Sequence, residues 1–171
     1  MKNQISASTI ANLPIDEAWV KLSDLGKAHY YVPALTASEI TTEKITGIGA
    51  SRIVRSSRPP MIETVVEWNE GEGLLLWLHH DQGDGIPPLL SQATFRYSLT
   101  KESATTTRLT NTLSYDMKWG IIGNLFGSLA RKTMLKMQKQ VTYGQRLYYE
   151  TGEKVELEQI NNLIRSERRL K

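Results

Sequence analysis

Histidine, serine and glycine are the residue types through which this chain could do obvious chemistry. It contains no cysteine, which removes disulfides, thiolate metal ligands and a thiol nucleophile. His79 and His80 are adjacent on a segment that reads as a strand, so their side chains leave opposite faces and cannot hold one ion together. His29 stands alone on a different element, and no metal site is expected. Gly47-Ile48-Gly49 lacks the third glycine and the following helix of a dinucleotide loop. Gly120, Gly123 and Gly127 fall at the start of a helical pattern, where they read as permitting close approach to a sheet rather than as a phosphate cradle. No serine sits in a nucleophile-elbow pattern. No cofactor is expected. Isolated polar side chains remain, and their meaning depends on the elements that hold them.

The chain has 171 residues, 40% hydrophobic and 23% charged, a balance that predicts one globular domain with a core. Its start lacks an apolar leader and no stretch reaches the ~18 apolar residues of a membrane span, so a soluble cytoplasmic protein without an integral membrane segment is expected. The net charge of +3 is modest. Its basic residues gather at Arg131, Lys132, Lys136, Lys139 and Arg146 and in the tail at Arg165, Arg168, Arg169 and Lys171. Such a stripe could meet phosphate or make transient contact with anionic lipid. No aromatic or glycine nucleic-acid motif accompanies it, so a solvated outer helix face is the simpler reading and no nucleic-acid partner is expected.

Strand-like segments fill most of the chain. Ile5 to Leu13 reads as a first strand, and Pro14 then starts a short helix with Asp16 and Glu17 in its first turn and Ala18, Trp19 and Leu22 inward. Lys27 to Pro33, with His29, Tyr30 and Tyr31, reads as a second helical turn that plugs one end of the core. Further strands are read at Leu35 to Glu43, Ala50 to Ser57, Met61 to Asn69, Leu74 to Asp81, Gln92 to Thr100 and Thr106 to Met117, separated by glycine and proline breaks. The expectation is about seven antiparallel strands. Gly120 to Tyr149 is one helical pattern, roughly 45 Å long, which needs a wide curved sheet to lie on. Ile122, Phe126, Leu129, Ala130, Thr133, Met137, Val141, Gly144, Leu147 and Tyr148 form its expected inner side, with Arg131, Lys132, Lys139, Thr142 and Arg146 opposite. The division is a domain over 1–152 and a charged extension over 153–171, helical or mobile.

This order resembles the helix-grip fold of the START-like (SRPBCC) superfamily, an α+β fold in which a curved sheet wraps a long C-terminal helix, with two short helices after the first strand. The residues that carry the resemblance are Pro14-Ile15-Asp16-Glu17-Ala18-Trp19, Asp24, Tyr31-Val32-Pro33, the glycine pair before Ala50-Ser51-Arg52-Ile53-Val54, and Glu63-Thr64-Val65-Val66-Glu67-Trp68. The polyketide cyclase/dehydrase and lipid-transport group is the most similar branch. The resemblance covers about residues 5 to 150 and implies a cavity between sheet and helix for a small hydrophobic ligand, in a monomer or weak homodimer.

It also implies that Glu63 faces inward, and period two then puts Val65 beside it, with Leu75, Trp77 and His79 across the hairpin. Both strands are apolar on both faces, so a one-residue slip would substitute Thr64, Leu76, Leu78 and His80. The last hairpin alternates cleanly, placing Phe95, Tyr97, Leu99, Leu109, Asn111, Leu113 and Tyr115 inward. Leu129, Thr133 and Met137 would close the cavity from the helix. A noncatalytic binding or carrier role is the leading expectation. A polyketide cyclase or aromatase using Glu63 and His79 as acid and base is the alternative, and an interaction module using the basic helix face is a third.

Overall fold

Apolar and polar residues alternate along Asn3–Ala11, which makes β1 a strand with Ile5, Ala7, Thr9 and Ala11 buried on one face. The computed structural model describes residues 1–80, 90–117 and 120–169, and within α3 it describes side chains from residue 131 onward. Pro14 is the N-cap of α1 (Ile15–Ser23), whose Ala18 and Leu22 are buried and whose Trp19 meets Trp68 edge-on, with ring centroids 4.8 Å apart. A 3-10 turn (Leu25–Lys27), in which Gly26 N–H donates to Asp24 Oδ1 at 3.1 Å, leads into α2 (Ala28–Tyr31).

The strands β2 (Ala37–Ile40), β3 (Ser51–Arg55), β4 (Met61–Asn69), β5 (Gly73–His79), β6 (Leu90–Lys101) and β7 (Thr107–Met117) follow. All neighbours are antiparallel, in the order β1-β7-β6-β5-β4-β3-β2. The seven strands carry α3 (Gly120–Thr151), 32 residues and roughly 48 Å long, against β1 and β7. The tail is helical: α4 (Leu157–Arg169) packs on α3 through the fully buried Ile160, with Val155 also buried and Leu157 left exposed. No helix among the described residues is long and apolar enough to cross a membrane.

The face that α3 turns to the sheet differs from the expected one. Gln138, Thr142, Gln145 and Tyr149 are the buried residues along that side, whereas Thr133 and Met137 are exposed. Gly144 and Tyr148, from the expected stripe, pack toward α2 instead. The apolar pattern misleads here because the sheet contributes a buried amide, Asn111, and polar helix residues answer it.

The crossing of α2 and α3 requires glycine. A Cβ on Gly144 would lie 2.2 Å from the Tyr31 carbonyl oxygen and 2.9 Å from Ile160 Cδ1. Alanine elsewhere in a helix gains up to ~1 kcal/mol over glycine, but overlap with backbone costs about 1–3 kcal/mol and wins. Gly144→Ala is therefore expected to lower the thermal midpoint by several degrees, roughly 2–4 °C per kcal/mol at this size, in a calorimetric scan.

Candidate functional site

On β4, Glu63 and Val65 face the interior, opposite Leu78 and Leu76 of β5. Trp77 and His79 pair with Thr64 and Ile62 and so leave by the other face of the sheet. Trp77 is 46% exposed and stacks on His79 at 4.0 Å, while His79 Nε2 meets Thr64 Oγ1 at 2.9 Å and Thr64 meets Ser51 Oγ at 2.7 Å. The expectation that Glu63, Trp77 and His79 share one face is corrected. Near the turn, Glu67 lies opposite Leu75, but a β-bulge between Val65 and Glu67 takes up one residue, so beyond it odd-numbered β4 residues face even-numbered β5 residues. Glu63 and His79 are thus on opposite sides of the sheet and cannot exchange a proton directly.

The partner of Glu63 is a residue that sequence reasoning missed. Arg52, directly across from it on β3, is fully buried and donates from Nε to Glu63 Oε2 at 2.6 Å, with Nη2 2.5 Å from the same oxygen. Its Nη1 donates to the Leu25 carbonyl at 2.8 Å, which also accepts from Ser38 Oγ at 3.0 Å. Burial opposes the guanidinium charge most strongly, but the Glu63 carboxylate, with Tyr31 and Tyr97 adding to it, holds the Arg52 pKa above its ordinary value. The only clue in the sequence is an arginine of the same parity as Ala50 and Val54, which gives no sign of a buried charge.

Above this pair lie the rings of Tyr31, Tyr97 and Tyr149, Tyr31 being edge-on to both others at 6.3 Å. Burial first, and Tyr31 second, push the phenols of Tyr97 and Tyr149 well above 10.0. A hydrogen-bonded seam continues from there: Gln145 Nε2 donates to Tyr149 Oη at 2.9 Å, and Asn111 Nδ2 donates to Gln145 Oε1 at 2.7 Å and to Thr142 Oγ1 at 3.2 Å. Thr142 Oγ1 donates to the Gln138 carbonyl at 2.9 Å. Asn111 Oδ1 and Gln138 Nε2 are buried and have no hydrogen-bond partner.

Toward its N-terminal side from Gln138, α3 becomes more exposed. Tyr149, Gln145, Thr142, Gln138, Leu135 and Arg131 lie on one side of α3 at alternating steps of four and three. The first four are buried, and Leu135 and Arg131 are exposed. The sheet shows the same change. Phe95 and Leu113 face each other across β6 and β7 and are half-buried, whereas Tyr97 and Asn111 on one side and Ala93 and Tyr115 on the other are buried. Both strands are hydrogen-bonded along both edges, so the surface those two side chains retain lies on the concave face. Met134, half-buried, packs against the core. Of the expected lining, Glu63, Val65, Phe95, Tyr97, Asn111, Leu113 and Tyr115 lie on this face, Trp77 and His79 do not, Thr133 and Met137 are on exposed sides of α3, and Leu129 lies outside the described side chains. Two open surface clefts, of about 510 and 390 Å³, lie elsewhere, beside Arg96 and Lys101 and beside Val20 and Ile45.

The described residues thus set a 32-residue helix on a seven-stranded antiparallel sheet. A family model described as polyketide cyclase/dehydrase and lipid transport matches residues 2–144. The chain belongs to this family. Solved structures agree with the helix-grip fold of this cyclase and lipid-transport family. TTHA0849 from Thermus thermophilus is 16% identical with a TM-score of 0.68, covering 86% of this chain and 97% of its own. A START superfamily protein from Mycobacterium smegmatis is 16% identical with a TM-score of 0.60, covering 81% and 94%. The di-domain ARO/CYC BexL from the BE-7585A biosynthetic pathway is 8% identical with a TM-score of 0.65, covering 85% and 47%. No curated protein matches the chain.

Two outcomes follow from the closed end. Arg52→Met leaves the Glu63 carboxylate buried without its partner and is expected to cost about 3–5 kcal/mol in a denaturant titration, much of it regained when Glu63→Leu is added. Unfolded tyrosine loses its proton near 10.0, where buried Tyr97 keeps it, so above that pH the folded state binds more protons and stability falls as pH rises. Tyr97→Phe is expected to flatten that alkaline loss, read as urea midpoints on either side of the transition.

Proposed function

We propose that this protein binds a small hydrophobic molecule, lipid-like or aromatic, between the concave face and α3, and that it carries the ligand rather than converting it. One observation carries this: the sheet-facing side of α3 changes from buried at Gln138 to exposed at Leu135, above the half-buried pair Phe95 and Leu113. An apolar floor beside a few buried polar groups suits an amphipathic small molecule. The family description supports hydrophobic ligands and cyclase chemistry alike. The carrier reading is favoured because the candidate acid and base stand on opposite faces of the sheet and Glu63 is held by Arg52. The unit proposed to act is the grip over 1–152, with α4 as its buttress.

Native mass spectrometry of freshly purified protein is expected to show a co-purifying small molecule, and Leu113→Trp, which fills the floor, is expected to weaken uptake of a fluorescent fatty-acid probe at least about tenfold with little change in stability. Protein that arrives empty and takes up no probe would count against the proposal. Turnover of an aromatic polyketide substrate that is lost in Glu63→Gln with binding intact would replace the carrier with a cyclase.

A further inference from the structure

The basic residues of α3 divide into two groups. Arg146 is neutralised, donating to Glu150 at 3.1 Å and to Glu167 of α4, which also accepts from Tyr143 Oη at 2.7 Å. Arg131, Lys132, Lys136 and Lys139 lie beyond the reach of that cluster and have no ion pair or hydrogen bond among the described residues. The first three are exposed and Lys139 is half-buried. No Asp or Glu occurs between Asp116 and Glu150. At 100° per residue the four cations fall within one half of the helix circumference, around Leu135, along roughly 12 Å of its axis. Leu135 is 36% exposed and Met137 44%. Six of the seven residues from Arg131 to Met137 are exposed, and this segment would rim the opening proposed above.

We infer that this rim docks on an anionic lipid surface, with the four cations at the headgroups and Leu135, which lies among them, entering the interface. One small carboxylate or phosphate is neutralised by one or two cations. Four cations without an ion pair among the described residues, spread along the helix, match an extended array of negative charge. Leu135, set among the cations, favours a lipid interface over nucleic acid, whose phosphates offer it nothing and whose bases call for stacking rings that this segment lacks. The rim borders the opening, so the docked surface would also be the source of a lipid-like ligand. In that one respect the inference rests on the proposed function.

Sedimentation of the full chain with vesicles of phosphatidylglycerol and phosphatidylcholine, against phosphatidylcholine alone, tests it. Binding to the anionic vesicles is expected to exceed the neutral ones by at least about tenfold at low salt and to collapse in ~0.5 M salt. Each cation near such a surface is worth roughly fivefold, so Arg131→Gln, Lys132→Gln, Lys136→Gln and Lys139→Gln together are expected to weaken binding by more than about 100-fold. The same variant should still take up the fatty-acid probe from solution. Equal binding to both vesicles, binding indifferent to salt, an undiminished quadruple variant, or a stronger preference for duplex DNA at the same salt would each overturn the inference. Wild-type protein that binds anionic vesicles yet takes up no probe would support docking and reject the ligand proposal.

Discussion

A charge pair sealed from water governs the closed end of this molecule. Arg52 and Glu63 face each other across β3 and β4, and the guanidinium also holds the carbonyl of Leu25, the first residue of the 3-10 turn. The arginine therefore ties two strands of the sheet to the helical segment that caps them. An ion pair in such a place contributes little net stability over an apolar pair of the same volume, but it permits one arrangement only. The turn must present its carbonyl, the strands must keep their register, and the tyrosines stacked above must leave the charges no path to water. Ser38 reinforces the point by donating to the same carbonyl. Positions further along inherit this constraint, since α2 follows the turn and meets α3 at Gly144.

From Tyr149 to Gln138 the long helix is held to the sheet by amides and hydroxyls as well as by apolar contact. Apolar side chains can slide past one another at small cost, whereas a buried chain of donors and acceptors loses a bond for each step of rotation or shift. Asn111 reads two residues of α3 at once, so it sets both the rotation and the height of the helix over β7. Where the seam ends, so does that control.

Sequence pattern reached the architecture because strand alternation and long helical periodicity are averages over many residues. The final hairpin was legible residue by residue, since Phe95 to Leu99 and Leu109 to Tyr115 alternate cleanly between faces. The relation of β4 to β5 was not, because both strands are apolar on both faces and the decisive event is a single extra residue beside Val65. The rotation of α3 was misread for the opposite reason: the pattern there is clear, but the sheet supplies a polar partner that hydrophobicity alone cannot foresee. Arg52 was hidden as an ordinary basic residue among strand formers, because its partner, eleven residues on, becomes visible only through the register. The inward facing of Glu63, Tyr97 and Asn111 was thus legible, whereas their partners Arg52, Thr142 and Gln145 were not.

Support for α3 is uneven along its length. Its last three turns are clamped by β1, by α2 at Gly144 and by α4 through Ile160 and Glu167, whereas from Arg131 to Met137 all but Met134 are exposed. The rod behaves mechanically as a cantilever with its fulcrum near Gln138. Deflection at such a beam grows with distance from the clamp, so a fraction of a degree at the fulcrum becomes a useful change of gap at the free end without rearranging any buried side chain. Ligands of the proposed kind but of different girth would then be accommodated by bending, which would decouple breadth of choice from firmness of folding.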